Sequence, residues 1–224
     1  MNEVDRFANR TEAGRHLAKA LEKYANRHDT IVLALPRGGV PVGYEVAKAL
    51  HCPLDVLVVR KLGAPGQEEL AMGALASGGV RKLNREVIDY LSIRPADIEA
   101  ATRRETRELE RRERAYRGDR APLDIRDRVV LLVDDGLATG TTMRAAVSAV
   151  RTLGAERVVA AIPVGAAESC RQLKPEVDEL VCLLMPQDFA AIGVWYDDFR
   201  QTTDDQVQDL LRKISRQKTE PAKT

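Results

Sequence analysis

The stretch VVLLVDDGLATGTTM, residues 129–143, decides how the chain folds and where its function lies. A run of apolar, mostly β-branched residues followed by two adjacent acids, Asp134 and Asp135, predicts a buried strand that ends in carboxylates. A short loop of small and hydroxylated residues follows, and a helix is predicted to begin at Thr141. Ligands of open α/β sheets bind outside such strand ends, so we expect the binding site here.

The loop from Ala138 to Thr142 has the composition of an anion site. Its hydroxyls and unpaired amides lie at a helix N-terminus, which attracts a dianion, and Gly140 lets the backbone come close to it. Two adjacent carboxylates suit sugar hydroxyls or a divalent cation rather than the phosphate itself. The motif therefore predicts a sugar phosphate, with the anion on the loop and the diol on the acids.

Other proteins also end a strand in two acids. ATPase metal sites do so, but they need a GxxxxGK[ST] phosphate loop, which this sequence lacks. Phosphoacceptor domains do so as well, but they need a distant lysine. Thr139 and Thr142 could also act only as helix caps, which would leave the acid pair without a partner.

Outside this motif, short apolar runs alternate with helical patterns. Strands are predicted at 31–35, 54–59, 129–133, 157–164 and 179–184, and helices at 42–50, 141–153 and 166–173. This alternation is typical of an α/β fold, a doubly wound parallel sheet covered on both faces. Residues 60–83 are predicted to form a loop plus a short hairpin, and residues 95–117 one long, solvated helix. The tail after Leu211 is expected to fray.

Composition restricts the classes of protein. The 224 residues are 44% hydrophobic, carry a net charge of +1 and include no apolar run long enough to cross a membrane. The first residues lack the apolar core of a secretory signal, so we expect a cytoplasmic protein. Near-neutral charge makes nucleic acid an unexpected partner. Three scattered cysteines, at 52, 170 and 182, are expected to be reduced core thiols, and the histidines predict no zinc site.

Residues 129–143 resemble the signature of type I phosphoribosyltransferases, which bind 5-phosphoribosyl-1-pyrophosphate (PRPP), and the order of elements is similar over about residues 25–200. The resemblance implies a doubly wound parallel sheet with a lid loop and a small hood region, and it implies Mg²⁺ as cofactor. It implies that Asp134 and Asp135 contact the ribose 2′- and 3′-hydroxyls, with the metal reached through the diol or water. The 5′-phosphate would bind Ala138, Thr139, Gly140, Thr141 and Thr142.

A second loop, LPRGGV at 35–40, follows the first predicted strand. Arg37 offers a forked cation, and Gly38 and Gly39 allow close backbone approach, although an ordinary tight turn would have the same composition. In the family the corresponding loop grips pyrophosphate, often through a strained backbone, and the sequence does not place a cis peptide there. The resemblance thus makes Arg37 a catalytic candidate beside the two acids.

Residues 60–70 resemble the lid that closes over the reactants in the family, although a solvated surface hairpin would have the same pattern. Arg60 and Lys61 would bring positive charge to the leaving pyrophosphate, and Lys61 is a further catalytic candidate. Glu68 and Glu69 on this segment are candidates for a general acid or base.

Residues 188–199 resemble the hood of purine phosphoribosyltransferases, where backbone and an apolar or aromatic side chain hold the base. Ile192, Trp195 and Asp197 are the candidates for a base pocket, with Asp197 also a candidate acid or base; aromatics beside a sheet edge also serve as core. Ala138 stands where hypoxanthine-guanine enzymes carry an aspartate, so the loop is closer to that of adenine-type enzymes. The acceptor is therefore left open.

These features predict one domain. It would span 1–215, with the core at about 25–60 and 125–185, the lid at 60–83, a helical insertion at 84–118, the hood at 186–200, and a polar tail at 216–224. The resemblance implies transfer of phosphoribosyl to a nucleobase or related nitrogen acceptor, with release of pyrophosphate. The alternatives are a non-catalytic sensor of PRPP or nucleotides, and a hydrolase of phosphoribosyl compounds. The expected partners are small molecules, without a membrane, and a homodimer stays open.

Overall fold

The computed structural model describes residues 5–118, 120–122 and 124–217, with only the backbone of Glu69 and Gln217. Of the predicted polar tail, residues 218–224 lie outside this part. In chain order the strands are β1 (Phe7–Asn9), β2 (Thr30–Ala34), β3 (Leu54–Val56), β4 (Val59–Ala64), β5 (Gln67–Ala76), β6 (Val80–Leu83), β7 (Val129–Val133), β8 (Arg157–Val164), β9 (Glu179–Leu184) and β10 (Tyr196–Asp198). The helices are α1 (Arg10–Ala20), α2 (Gly39–Leu50), α3 (Arg85–Tyr90), α4 (Pro95–Arg117), α5 (Thr141–Thr152), α6 (Ala167–Leu173) and α7 (Asp204–Gln217).

The centre of the protein is a five-stranded parallel sheet in the order β3-β2-β7-β8-β9. Every residue of β2 and β7 is buried, because helices cover both faces of the sheet. Apolar residues of α1, α2, α4 and α7 pack on one face, and those of α5 and α6 pack on the other. The predicted doubly wound α/β fold is confirmed, and β2 and β7 end side by side at Ala34 and Val133.

The region 60–83 differs from its prediction of a loop plus a short hairpin. Strands β4, β5 and β6 form a three-stranded antiparallel sheet, and the predicted strand 54–59 is divided between β3 and β4. Leu62, Met72 and Leu75 are buried and join the apolar core on the α4 side of the main sheet. This burial explains why the segment is regular structure rather than a loop.

The long helix α4 has the bounds that the sequence predicts. Pro95 occupies its first turn and Gly118 ends it with a positive φ of 60°. A narrow apolar stripe, including Ile98 and Leu109, packs inward, and the remaining surface is charged. Along the helix, Glu108 pairs with Arg112 and Glu113 with Arg117 at i,i+4 spacing, and Glu99 pairs with Arg81 of β6.

The two ends of the described chain are more ordered than the sequence suggests. The expectation of fraying after Leu211 is wrong up to residue 217, because α7 buries Val207, Leu211 and Ile214 in the core. Sequence analysis also missed α1 and the small parallel sheet of β1 and β10, in which Phe7 is the partner of Tyr196. This small sheet joins the N-terminal segment to the predicted hood.

Two composition-based expectations can be compared with the structure. Cys52 and Cys170 are buried and Cys182 is half-buried, which agrees with the expectation that they lie in the core. Within the described residues, none of the helices combines the length and the apolar character needed to span a bilayer.

Candidate functional site

The two acids that follow β7 lie in different surroundings. Asp135 is buried, at 8% exposure, whereas Asp134 keeps part of its surface exposed. The Asp135 backbone N–H donates to Asp134 Oδ1 at 2.9 Å. Burial, followed by the charge of Asp135, raises the pKa of Asp134 well above its ordinary value. Burial also raises the pKa of Asp135, and the Arg10 guanidinium opposes that rise.

Arg10, which the sequence analysis missed, is the cation of this acid pair. Its Nε donates to Asp135 Oδ2 at 2.7 Å, and both side chains are only 11% exposed. Its Nη1 donates to the Arg200 carbonyl at 2.8 Å, and its guanidinium carbon lies 3.8 Å from the centre of the Phe199 ring. No local sequence signal could have identified Arg10, because 125 residues separate it from Asp135.

The acid pair is also held through its main chain. The Tyr196 hydroxyl donates to the Asp135 carbonyl at 2.5 Å, and its ring stacks on Phe199 at 5.0 Å. Burial and the charge of Asp135 raise the pKa of Tyr196, so its hydroxyl keeps the proton that it donates. The β1–β10 sheet thus holds the end of β7 in place.

The loop between β7 and α5 is anchored at one point and open beyond it. The Leu137 N–H donates to the Val164 carbonyl at 2.9 Å, and the Leu137 carbonyl accepts from Ala166 at 2.8 Å. Ser169 donates to the Ala138 carbonyl. Of the five predicted phosphate-binding residues, Gly140 is buried and the other four are exposed: Ala138, Thr139, Thr141 and Thr142.

Gly140 begins α5 with a φ of 76°, a left-handed conformation that favours glycine. Its carbonyl accepts the first hydrogen bond of the helix, from Arg144 at 2.9 Å. The amides of the first turn have no acceptor within the helix, and glycine has no side chain to cap them. The hydroxyls of Thr139 and Thr141 lie 3.3 Å apart beside them. These donors converge as an anion site requires.

The glycine loop after β2 lies directly against the acids. The peptide between Pro36 and Arg37 is cis. A Cβ atom added to Gly38 would lie 1.9 Å from Asp135 Oδ2, and one added to Gly39 would lie 2.7 Å from the Val133 carbonyl. Only glycine allows this approach, so the two loops form one cleft edge.

The predicted cationic side chains differ in the groups that they contact. Arg37 Nη1 lies 3.7 Å from Asp204 Oδ1 at the start of α7. Arg60 donates twice to Glu105 Oε2 of α4, at 2.6 and 3.0 Å, so its guanidinium is directed to the helix. Lys61 is exposed on the same strand, as is Glu68 on β5, and the side chain of Glu69 lies outside the described residues. The structure therefore places Gly38 and Gly39 against the acid loop, directs Arg37 to Asp204, and ties Arg60 to α4.

The three predicted base-pocket residues lie in different surroundings. A Cβ atom on Gly136 would lie 2.6 Å from Ile192 Cγ2, so Ile192 packs directly on the acid loop. The Trp195 indole N–H is buried and has no acceptor among the described residues. Asp197 is 65% exposed and pairs with Arg6 at 2.8 Å.

The donor set suits a shared magnesium ion rather than a protein cage. No cluster of three histidine, cysteine or acidic side chains that could hold a metal occurs in the part of the chain that the structure describes. Mg²⁺ commonly binds one or two carboxylates together with substrate phosphates and water. The half-exposed Asp134 beside the glycine loop fits that mode, with most ligands supplied by the substrate.

The structure combines an open parallel sheet with an inserted antiparallel sheet. One central strand ends in two acids and leads into a loop suited to phosphate, and a glycine loop follows the neighbouring strand. This combination is the type I phosphoribosyltransferase fold. The chain belongs to this family: the model of the phosphoribosyl transferase domain matches residues 2–198.

Similar proteins agree with this assignment. A Mycobacterium tuberculosis H37Rv protein named "Putative phosphoribosyl transferase" is 44% identical over 210 residues, 94% of this chain. The chain spans about half the length of this relative, 47%. The crystal structure of TT1426 from Thermus thermophilus superposes with a TM-score of 0.83 at 43% identity, covering 93% of this chain and 98% of that one. AQ2163 from Aquifex aeolicus shares the fold, with a TM-score of 0.51 at 11% identity over 90% of this chain and 84% of its own.

Proposed function

We propose that the protein transfers the phosphoribosyl group of PRPP to a nucleobase or a related nitrogen acceptor and releases pyrophosphate. The observation that carries this proposal is the contact between the two loops, where Gly38 lies against the Asp135 carboxylate. This contact brings three features to one edge of the sheet. They are the N-terminus of α5, which favours anions, the two acids after β7, and the glycine loop after β2. A ligand with a phosphate at one end, a diol in the middle and a pyrophosphate at the other matches that order of groups.

Each part of the cleft has a task in this proposal. The α5 amides and the hydroxyls of residues 139–142 bind the 5′-phosphate, where the helix dipole favours negative charge. The acid pair at the end of β7 lies on the side of the ribose diol. While the Gly39 amide already donates to the Leu35 carbonyl at 3.0 Å, the Gly38 amide and the guanidinium of Arg37 bind the pyrophosphate. Arg37 must exchange its long contact with Asp204 for this contact.

The reaction is a displacement at the anomeric carbon. The bond from carbon to the pyrophosphate oxygen breaks, the bond to the acceptor nitrogen forms on the opposite face, and that nitrogen then loses its proton. Positive charge develops on the ribose ring, and the carboxylates on its diol side stabilise it. Mg²⁺, when bound, supplies charge neutralisation of the leaving pyrophosphate. The remaining contribution of the chain is to hold both reactants in line.

The β4–β6 sheet and the hood complete the proposed site. Closure of the sheet over the reactants would exclude water and so protect the activated ribose from hydrolysis. Lys61 would then reach the pyrophosphate, and Arg60 would have to leave Glu105 to do the same. On the acceptor side Ile192 already borders the acid loop, with Trp195 behind it.

The decisive experiment combines the protein with Mg²⁺, PRPP and a panel of nucleobases, and follows pyrophosphate release. Acceptor-dependent release supports the proposal, whereas release with PRPP alone would identify a hydrolase. Tight PRPP binding without release would favour the sensor. We expect the Asp134→Asn/Asp135→Asn double variant to bind PRPP at least tenfold more weakly in calorimetry, about 1.4 kcal/mol. Unchanged affinity would contradict the assignment of the acids.

A further inference from the structure

The side chain of Asp135 is only 11% exposed, and protein groups hold it from several directions. Arg10 holds its Oδ2 at 2.7 Å, the Gly38 backbone lies against the same oxygen, and Tyr196 holds its carbonyl. Arg10 is itself fixed by the Phe199 ring and the Arg200 carbonyl. This carboxylate is therefore part of the support under the glycine loop.

Asp134 lies in the opposite situation. Its Oδ1 accepts a hydrogen bond from the Asp135 amide. As a whole residue Asp134 is less buried than Asp135, and no cation lies within salt-bridge distance of it among residues 5–118, 120–122 and 124–217. A carboxylate without an ion-pair partner keeps the capacity to accept hydrogen bonds from a bound diol.

We propose that Arg10 is a positioning residue that gives the two acids different tasks: Asp134 binds the ribose hydroxyls, while Asp135, neutralised by Arg10, supports the pyrophosphate loop. This inference rests on the proposed function and deepens it, since it assigns a task to a residue in the N-terminal segment. Arg10 contacts no reacting atom and acts through Asp135.

The physical reason is the sign of the charge beneath the glycine loop. A pyrophosphate bound at the glycine loop would lie close to the Asp135 carboxylate, because the Gly38 backbone lies against Asp135 Oδ2. Like charges in a partly buried site repel strongly because water screens them poorly. Arg10 cancels the carboxylate charge at that place. Loss of Arg10 should therefore weaken ligands that carry pyrophosphate and spare those that do not.

The test compares two ligands by calorimetry, PRPP with Mg²⁺ and ribose 5-phosphate, on the full chain. We expect Arg10→Gln to weaken PRPP binding about tenfold and ribose 5-phosphate binding less than threefold. Arg10→Lys, which keeps the charge, should restore PRPP affinity to within threefold of wild type. Arg15→Gln, which removes an exposed arginine of the same helix, should change neither ligand. An equal loss for both ligands in Arg10→Gln would mean a merely structural role and would overturn the inference.

The acids provide a second, independent test. Asp134→Asn should weaken both ligands about tenfold, whereas Asp135→Asn should weaken ribose 5-phosphate less than threefold. In the Arg10→Gln/Asp135→Asn double variant neither charge of the pair is left uncompensated, so most of the PRPP affinity that Arg10→Gln loses should be recovered. Equal effects of the two single acid variants on ribose 5-phosphate would overturn the inference.

Two further outcomes keep the conclusions distinct. If wild-type protein binds neither ligand, the proposed function fails and this inference fails with it. If it binds both and the ligands respond alike to every variant, only the inference fails. Circular dichroism reports whether Arg10→Gln folds; if it does not, Arg10→Lys and the comparison of the two acids decide the matter.

Discussion

Among the residues that the structure describes, two buried Arg–Asp pairs look alike in isolation. In the site pair, Arg10 and Asp135 are each 11% exposed; in the structural pair, Arg117 and Asp55 are 7% and 8% exposed. Arg117 Nε lies 3.0 Å from both Asp55 oxygens, while its Nη1 reaches Glu113 at 2.8 Å and its Nη2 the Val56 carbonyl at 2.6 Å. The structural pair thus satisfies its guanidinium with protein groups and joins the end of α4 to β3.

The site pair differs in its neighbour. Asp135 shares the end of β7 with Asp134, which has no cation of its own among the described residues, so the group carries excess negative charge. Burial of excess charge lowers the stability of the fold. The comparison teaches that the structural pair is arranged for stability, whereas the site pair leaves hydrogen-bonding capacity open for a ligand.

The largest expected effect is the loss of the structural pair. Arg117→Ala removes the guanidinium that pairs with the buried Asp55 carboxylate, and we expect the free energy of unfolding to fall by about 3–5 kcal/mol. Urea denaturation measures this value. Arg111→Ala removes an exposed arginine of the same helix, paired only with Glu108 at the surface, and should cost less than about 1 kcal/mol. Equal losses in the two variants would remove the distinction between a buried and a surface pair.

The second prediction breaks the site pair through the backbone. In Gly38→Ala the new methyl group would lie 1.9 Å from Asp135 Oδ2, so either the carboxylate or the loop must move. We expect overpacking to cost about 1–3 kcal/mol of unfolding free energy. PRPP affinity should fall at least tenfold because the loop and the acid move apart. In Gly66→Ala the added methyl group meets no atom within 4 Å, but the φ of 74° strains any residue other than glycine, so this variant controls for a loss of stability away from the acids. Unchanged PRPP affinity in Gly38→Ala would show that the contact does not matter for binding.

The difference between the two pairs also marks what the sequence could predict. The strands, the acids and the phosphate-type loop are encoded within residues 129–143, because hydrophobic periodicity and turn chemistry act over a few neighbouring positions. Arg10 and Tyr196 reach Asp135 from 125 and 61 residues away, and no local pattern records such an encounter.

The β4–β6 sheet was missed for a related reason. Its glycines, at 63, 66 and 73, lower strand propensity locally, while burial of Leu62 and Met72 against the rest of the core overrides that preference. In α7, likewise, a polar composition predicted fraying, and the spaced apolar residues Val207, Leu211 and Ile214 determined the outcome. In both segments the sequence showed the local conformational preferences but not the tertiary contacts that overrode them.

The third prediction concerns the sign of the charge at the site. The folded state raises the pKa of Asp134 above the unfolded value near 3.9, so it binds the proton more tightly than the unfolded state does. The ionised carboxylate therefore destabilises the fold at pH 7. We expect Asp134→Asn to increase the unfolding free energy at pH 7 by about 1 kcal/mol or more, and the increase to vanish near pH 3.

The control for this variant is Asp197→Asn, which changes an exposed carboxylate paired with Arg6 at the surface. It should alter stability by less than about 0.5 kcal/mol. Thermal unfolding at several pH values provides the measurement. A destabilised Asp134→Asn at pH 7 would show that Asp134 is structurally compensated, as Asp55 is.

The smallest effect is expected for an ion pair at the protein surface. Arg111, followed by Arg112, lowers the pKa of Glu108 on α4 to about 2. Since the unfolded value is near 4.3, Glu108 stabilises the fold above that pH, and the contribution is lost as pH falls from about 4 to about 2. We expect Glu108→Gln to cost less than about 1 kcal/mol at pH 7, because the side chain is 29% exposed and solvent screens the pair. Raising the NaCl concentration to about 1 M should shrink the difference from wild type further, whereas the loss in Arg117→Ala should persist because a buried pair is screened much less. If the stability difference between Glu108→Gln and wild type did not depend on salt, this surface pair would behave like a buried one. The distinction between buried and surface ion pairs would then fail.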